Sequence, residues 1–244
     1  MQRYFIELSY DGGAYHGWQR QPNASSVQQK IEEQIAKLHS NTLYPVVGCG
    51  RTDTGVHAHH YVLHVDLPEI ENPEHFCFKL NRMLPDDIAI HRAWAVDHKQ
   101  HARFSASART YRYFVHRKKD PFLRNRSWYV PEVFDMDQMN EAAMCLLGTQ
   151  DFTSLSKLHT DVKTNICTVE RAFWTKDGSD TFYFEICADR FLRNMVRATV
   201  GTLMDVGTGR LTVEDVSKII NAKDRGKAST SVPGHGLFLW NIDY

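Results

Sequence analysis

The stretch from Gly50 to Ala58 combines a carboxylate, an arginine and two threonine hydroxyls between a pair of glycines. Gly50 and Gly55 allow backbone angles that other residues resist, so a short turn between them can present Asp53 at the end of a strand. Arg51 favours the ionised form of that carboxylate. An ionised aspartate can serve as a nucleophile or base without a metal, although Asp53 could also be a simple turn cap.

A second set of candidate residues alternates arginines and aromatic rings between Arg103 and Tyr113. On a strand, Tyr111 and Tyr113 share one face and Arg112 points to the other. This pattern is typical of a platform on which a base stacks beside phosphate-binding charge. The alternative is an aromatic pair packed across strands in the core.

A third set lies at the start of a predicted helix, where Arg193 and Arg197 are one turn apart. Arginine near a helix N-terminus opposes the helix dipole. Arg197 therefore gains most if a carboxylate such as Asp53 neutralises it. The alternative is that both arginines are solvated surface charges.

Histidines and a basic run offer two other possibilities. A strand sends His57 and His59 to one face and His60 and His64 to the other, so they form no convincing metal-ligand set. We expect packing or RNA-contacting roles for them instead. The run from Arg117 to Arg126 is typical of a solvated loop that can contact phosphates.

Composition restricts the class of protein. The chain has 244 residues, of which 42% are hydrophobic, enough for one large domain or two modest ones. It has no apolar run near the roughly 20 residues of a membrane span, and its start lacks a signal-peptide pattern, so we expect a soluble cytoplasmic protein. The five scattered cysteines indicate reduced thiols. Because 29 basic residues balance 29 acidic ones, an RNA site must be a local patch.

Hydrophobic periodicity predicts two similar α+β halves. The first half should run β-α-β-β-α-β, with a helix capped by Ser25 and Gln28 and a second helix between Pro73 and Pro85. Its strands are predicted at Arg3–Tyr10, Tyr44–Val47, His57–Val65 and Ile88–Val96. The Asp53 loop therefore joins two strands.

The second half repeats this alternation. Strands are predicted at Thr110–His116, Thr168–Trp174, Thr181–Ala188 and Leu237–Ile242, and helices at Met136–Leu147, at Arg193–Val206 and from Thr212 onwards. Halves of this kind resemble the split β-α-β plan, and two of them can merge their sheets around a cleft. We place the boundary between residues 1–102, which carry the Asp53 loop, and residues 103–244.

Seven motifs in order identify a resemblance to the tRNA pseudouridine synthase A family, TruA, over essentially the whole chain. The most specific is Gly50-Arg51-Thr52-Asp53 through His57-Ala58. The others are Tyr10-Asp11-Gly12 with Gly17-Trp18-Gln19-Arg20-Gln21, Asn81 with Leu84-Pro85, His101-Ala102-Arg103-Phe104-Ser105-Ala106 with Tyr111-Arg112-Tyr113, Asp151-Phe152-Thr153-Ser154, Phe191-Leu192 with Met195-Val196-Arg197, and Gly236-Leu237 with Tyr244.

The resemblance implies an α+β pseudouridine synthase fold, with two ferredoxin-like halves, merged antiparallel sheets and a central RNA-binding cleft. It implies isomerisation of uridine at positions 38, 39 and 40 of the tRNA anticodon stem-loop by a homodimer without cofactor or metal. By the same resemblance Asp53 is the nucleophile and Tyr111 packs on the target base. Arg197 is the basic partner of the aspartate, Arg51 helps to hold the flipped nucleotide, and Leu237 lines the pocket.

The chain also departs from the family pattern. Cys167 stands where an arginine is frequent, which predicts a missing phosphate contact, and Thr54 stands where alanine is frequent. Thr230-Ser231-Val232-Pro233 replaces a more usual Thr-Ala-x-Pro-like run. These differences bear on substrate range more than on catalysis.

Two other classes of function remain as alternatives. A non-catalytic tRNA-binding or RNA-folding protein on the same scaffold would fit Cys167 and the neutral charge, but an intact Asp53 argues against it. A metal-dependent hydrolase would use the histidines after Asp53 and would hold zinc or manganese.

Overall fold

The computed structural model describes residues 1–157 and 163–244. The chain divides into two compact units. The first unit comprises Met1–Ser107 and Phe238–Tyr244, and the second unit comprises Ala108–Leu237. Both combine helices with strands that pair mostly antiparallel, so the α+β class is confirmed.

In the first unit, two helices accompany strands in the order β4-β1-β3-β10, with β2 beside β3. Strand β10 runs parallel to β3, and Phe238 lies opposite His57. The other pairings are antiparallel. The elements are β1 (Gln2–Tyr10), α1 (Val27–Leu38), β2 (Val47–Gly48), β3 (His57–Leu67), α2 (Pro73–Met83), β4 (Ile88–Val96) and β10 (Leu237–Asp243), which lies in this unit from Phe238 onwards.

The helices of the first unit begin where local chemistry favours a start. Ser26, rather than the predicted Ser25, caps α1 by accepting a hydrogen bond from the backbone N–H of Gln29. Asn72 caps α2 in the same way and Pro73 occupies its first turn, where its missing N–H costs no helix hydrogen bond. Apolar side chains at helical spacing on α1 are buried: Val27, Ile31 and Ile35.

In the second unit the strand order is β5-β9-β8-β7, with the short β6 parallel to β5. The capping box predicted at Thr212 and Asp215 is present at the start of α5. Helix α4 begins at Met195 rather than Arg193. The elements are β5 (Ala108–His116), β6 (Trp128–Tyr129), α3 (Met136–Met144), β7 (Gly148–Asp151), β8 (Ile166–Lys176), β9 (Thr181–Ala188), α4 (Met195–Gly207) and α5 (Val213–Ala222).

The boundary between the two units differs from the one expected between residues 102 and 103. Residues 103–107 remain with the first unit, where the N–H of Ser105 donates to the carbonyl of His101 and that of Ser107 to the carbonyl of Asp243. The C-terminal strand also belongs there, because it pairs with β3. The limits of the units therefore depend on hydrogen bonds between segments that are distant in sequence.

Two further findings concern the described part of the chain. No helix within it is long and apolar enough to cross a membrane. All five cysteines lie within it, and none of them forms a disulfide there.

Candidate functional site

The Asp53 loop, residues 49–56, joins β2 to β3 as predicted. Along it burial alternates: Arg51 is exposed, Thr52 is buried and Asp53 is half-buried. The backbone carbonyl of Asp53 accepts a hydrogen bond from the N–H of Val56 at 3.1 Å, which closes the turn. Gly55 within this turn has a φ of 75°, a conformation that glycine adopts without a Cβ penalty. The loop therefore presents its carboxylate from a tight turn.

Two tyrosine hydroxyls from the sheet hold this loop. The hydroxyl of Tyr61 on β3 donates to the carbonyl of Gly50 at 2.5 Å, and that of Tyr10 on β1 lies 2.9 Å from the hydroxyl of Thr52. The ring of Tyr61 is fully buried and stacks on Trp18, with 4.1 Å between ring centroids. The loop is thus tied to two strands of the sheet at Gly50 and at Thr52, on either side of Arg51.

The segment after β1 packs its backbone directly on the Asp53 loop. The N–H of Trp18 donates to the carbonyl of Thr52 at 3.3 Å, and the N–H of Gly55 donates to the carbonyl of Tyr15 at the same distance. Gly17 has a φ of 87°, and a Cβ there would collide with the carbonyl oxygen of Thr52. Glycine is therefore required at position 17 for both conformation and space.

His57, the first residue of β3, takes part in the same packing. Its ring is buried, and Nδ1 accepts a hydrogen bond from the backbone N–H of Gly12 at 3.0 Å. The carboxylate of Asp11 lies 3.0 Å from the same nitrogen, and the ring stacks on Phe238 with centroids 4.5 Å apart. His57 therefore links the turn after β1 to the end of the Asp53 loop.

The other three histidines of β3 have separate partners. His59 stacks on Trp240, with 4.3 Å between ring centroids, and Nδ1 of His60 lies 2.8 Å from the side-chain oxygen of Asn241. Nδ1 of His64 accepts from the N–H of Ala102, and burial lowers the pKa of His64 to about 4. Across residues 1–157 and 163–244, no three His, Cys, Asp or Glu side chains are grouped to hold a metal ion.

In the second unit, the two tyrosines of the Arg103–Tyr113 stretch differ in exposure. Tyr111 is half-buried on β5 and meets the ring of Phe191 edge to face at 4.9 Å. Tyr113 is fully buried, and its hydroxyl donates to the carbonyl of Pro233 at 2.8 Å. Burial raises the pKa of Tyr113 above its usual value. For Tyr113 the structure therefore supports the alternative of an aromatic residue packed in the core.

Arg197 lies in the first turn of α4 and is half-buried. Its Nε donates to the carbonyl of Val232 at 2.7 Å, and its own carbonyl accepts from the N–H of Val232 at 3.3 Å. Asn194, immediately before the helix, donates to the hydroxyl of Ser231. Arg193 is exposed. The two arginines of the predicted cluster thus have different environments, and Arg197 is tied to the segment before Leu237.

Leu237 is buried and follows the one-turn helix Gly234–Gly236. Gly236 lies so close to the ring of Tyr113 that a Cβ there would meet it at 2.8 Å. In the second unit, Arg197, Tyr113 and residues 231–237 therefore pack together.

Comparison with known proteins found similar sequences over nearly the whole chain. A family model described as tRNA pseudouridine synthase matches residues 8–105 and 142–244. A protein of Parabacteroides distasonis named tRNA pseudouridine synthase A is 54% identical over 245 residues, covering 100% of this chain and 96% of that protein. The protein of that name from Bacillus subtilis is 42% identical, covering 97% of each chain.

The chain belongs to the tRNA pseudouridine synthase family. The first matched segment, residues 8–105, contains Arg51 and Asp53, and the second, residues 142–244, contains Arg197 and Leu237. Tyr111 falls between the two matched segments.

The sequence did not predict the residues that hold the Asp53 loop in this member of the tRNA pseudouridine synthase family. The sequence places Trp18 in a motif without indicating its packing, and it does not predict the partners of Tyr10 and Tyr61. The available signal was the composition of the motif itself, since a tryptophan between Gly17 and the polar run Gln19-Arg20-Gln21 is unusual for an exposed turn.

The departure at Cys167 also has a structural explanation. The side chain is fully buried on β8, and burial raises the pKa of its thiol to about 12. In this chain the position therefore packs inside the second unit, where a neutral thiol behaves as a small apolar group.

Proposed function

We propose that this protein isomerises uridine to pseudouridine in tRNA. The observation that carries the proposal is a half-buried carboxylate, Asp53, on a loop held by Tyr10, Tyr61 and Gly17 within a segment that matches the tRNA pseudouridine synthase family. Relatives that align over nearly their entire length bear the name tRNA pseudouridine synthase A.

The reaction needs positioned side chains more than strong reagents. The glycosidic bond between C1′ of the ribose and N1 of uracil breaks, the freed base rotates, and a bond forms between C1′ and C5. The proton on C5 is lost and N1 gains one, so atoms balance and no net oxidation occurs. A carboxylate can take the covalent or charge-stabilising role in this sequence.

Asp53 is the proposed nucleophile and Arg51 the residue that helps to hold the target nucleotide out of its stack. Asp53 is only half-buried, so it is accessible, while its backbone is fixed by its neighbours. Arg51 is exposed two residues earlier on the same loop, where a guanidinium can pair with phosphate. A fixed nucleophile reduces the entropic cost of reaching the reactive geometry.

Three residues of the second unit are proposed to bind substrate. Tyr111 is half-buried and held edge to face by Phe191, which leaves part of its surface available to a base. Arg197 is held by the carbonyl of Val232, and a guanidinium at this position can pair with an anionic group. Leu237 supplies apolar surface to the uracil pocket in this proposal.

The proposed substrate region is the tRNA anticodon stem-loop, at positions 38, 39 and 40. Uridine in a stem must be extruded, which costs a few kcal/mol that stacking and phosphate contacts offset. We also propose that the enzyme acts as a homodimer in the cytoplasm, where its tRNA substrate is found, and that it needs no cofactor or metal.

The decisive experiment measures tritium release from tRNA labelled at uridine C5, with and without a chelator. We expect release by the unaltered protein and none by Asp53→Asn. The matched control is Asp86→Asn, the same substitution at an exposed aspartate of the first unit, which should release tritium normally. Release by Asp53→Asn would refute the assigned nucleophile, and tRNA binding without release by any protein would favour the non-catalytic alternative. Loss of release on chelation would indicate a metal-dependent reaction.

A further inference from the structure

The loop between β5 and β6, residues 117–126, concentrates positive charge in a chain whose net charge is zero. We call it the basic loop. It contains five basic residues and one acidic residue, Asp120. Lys118, Lys119 and Arg124 are exposed, and within the described part of the chain none of these three forms an ion pair. Their charge is therefore available to an anionic partner.

The loop is an ordered structure at its centre. The carboxylate of Asp120 accepts a hydrogen bond from the N–H of Phe122 at 2.8 Å. The carbonyl of Asp120 accepts from the N–H of Leu123 at 3.3 Å, and the carbonyl of Leu123 accepts from the N–H of Arg126 at 2.9 Å. These bonds make two successive turns, so the single acid of the loop is used to shape it.

Both ends of the basic loop are fixed to the second unit. The N–H of Arg117 donates to the carbonyl of Asp180 at 2.9 Å. At the other end, the buried hydroxyl of Ser127 lies 2.9 Å from Nδ1 of His116. A loop anchored at both ends and shaped internally loses less entropy when it binds a partner.

Phe122 occupies the middle of this loop with 89% of its surface exposed. A phenylalanine gains nothing from exposure in water, and in sequence this one lies between Lys119 and Arg124. An exposed ring flanked by positive charge is the combination that binds nucleic acid, since bases stack on the ring while Lys and Arg neutralise phosphates.

The chain supplies an internal comparison in α2. Phe78 on that helix is also exposed and has Lys79 and Arg82 nearby. Phe78, however, stacks parallel to the ring of His75, and the segment around it carries Glu69, Glu71, Glu74, Asp86 and Asp87. The same residue types therefore occur there in an acidic setting that repels phosphate.

We propose that the basic loop is a tRNA-binding element separate from the residues assigned to the isomerised nucleotide. Lys118, Lys119 and Arg124 contact phosphates, and Phe122 stacks on an unpaired base. The inference rests on the proposed function for the identity of the RNA. Because the protein has no overall positive field, a local element of this kind supplies the attraction that a neutral chain otherwise lacks.

The test measures binding of an unmodified tRNA transcript to the full-length protein by filter binding over a series of salt concentrations. The double variant Lys118→Ala/Arg124→Ala is compared with Lys79→Ala/Arg82→Ala, which removes the same two residue types from α2. We expect roughly tenfold weaker binding for the loop variant at moderate salt and a salt slope reduced by about 1.5, at 0.7 to 0.9 per phosphate contact. The α2 variant should bind as the unaltered protein does.

A second pair of variants tests stacking. Phe122→Ala should weaken binding by about tenfold with an unchanged salt slope, and Phe122→Trp should restore it, because base stacking needs a ring and not a charge. Phe78→Ala is the matched control and should have no effect. Equal binding by the loop and α2 charge variants would overturn the phosphate contacts. Equal binding by Phe122→Ala and the unaltered protein would overturn the stacking.

Tritium release by the unaltered protein is measured on the same tRNA. If it releases none, the proposed function fails, yet the binding comparison still decides whether the basic loop contacts RNA. If it releases tritium and the loop variants bind normally, only the loop proposal fails.

Discussion

The hydroxyl of Tyr61 donates a hydrogen bond to the carbonyl of Gly50 at a distance of 2.5 Å. Tyr61 lies within β3, eleven residues along the chain from Gly50, and its ring is buried against Trp18. One side chain thus joins the sheet to Gly50, near the start of the loop that carries Asp53. We infer that Tyr61 is a positioning residue for the proposed nucleophile.

Replacing Tyr61 by phenylalanine should lower activity more than stability. The change keeps the ring stack and removes one hydrogen bond, so the free energy of unfolding should fall by about 1 kcal/mol. The rate of tritium release should fall about ten- to a hundredfold, because small displacements of a reacting group are costly. Single-turnover kinetics and denaturant unfolding measure the two effects.

The control is Tyr4→Phe, which removes a hydroxyl that accepts the N–H of Ile70 at 2.8 Å, away from the Asp53 loop. It should lose similar stability and keep its activity. Equal loss of activity in both variants would show that Tyr61 acts only through general stability.

Gly17→Ala should be far more damaging than an ordinary glycine substitution. The φ of 87° costs an alanine about 1–2 kcal/mol, and its Cβ would also strike the carbonyl of Thr52. We expect a larger loss of unfolding free energy than strain alone gives, together with loss of tritium release.

Gly209→Ala separates strain from collision. Gly209 has a φ of 73°, but a Cβ there meets no neighbouring atom. This variant should lose about 1 kcal/mol by denaturant unfolding and retain activity. If the two variants were equally stable, the close contact at position 17 would have no energetic weight.

The sequence predicted the elements whose signals are local. Helix α2 begins at Pro73 and α5 at the Thr212–Asp215 capping box, because both starts depend on residues within one turn. The short strands β6 and β7 were not predicted, since they are defined by pairing with β5 and β8 and not by a pattern within their own few residues. The place of β10 beside β3 likewise depends on a parallel pairing that no periodicity reveals.

For the candidate site, the sequence predicted the loop that carries Asp53 but not the side chains that hold this loop. The glycines on either side of Asp53 predicted a loop there, because residues 50–55 themselves contain the residue types that a tight turn requires. The roles of Tyr10 and Tyr61 were not predictable, because their hydroxyls bond to groups that only the fold brings near. The two alternatives for Tyr113 stayed open for a related reason: strand alternation predicts the face of the sheet, but packing against residues 233–236 decides the exposure of the ring.

Acid should destabilise the first unit through His64. Burial lowers the pKa of this imidazole to about 4, with contributions from the positive charges of Arg3 and His101 that outweigh Asp66. As the pH falls from about 6.5 towards 4, the unfolded chain binds a proton that the folded chain does not, so stability falls. Above pH 6.5 the full contribution is present.

His64→Asn tests this dependence, because the asparagine oxygen can accept the Ala102 N–H in place of Nδ1. The variant should lose less stability than the unaltered protein between pH 6.5 and 4, measured by denaturant unfolding at each pH. His91→Asn, at an exposed position on β4, should leave the pH profile unchanged. Parallel profiles for all three proteins would contradict the assignment.

Arg197→Lys should reduce activity although the charge is kept. The guanidinium donates through Nε to the carbonyl of Val232 at 2.7 Å, and its planar fork leaves other N–H groups fixed in direction. An ammonium group is a point charge that cannot do both, so kcat/KM for tritium release should fall about tenfold. Arg210→Lys, at an exposed arginine just beyond the other end of α4 that pairs with Asp205, should remain near the unaltered value. Unchanged kcat/KM in Arg197→Lys would mean that position 197 supplies charge alone, and a matching loss in Arg210→Lys would assign the effect to α4 as a whole.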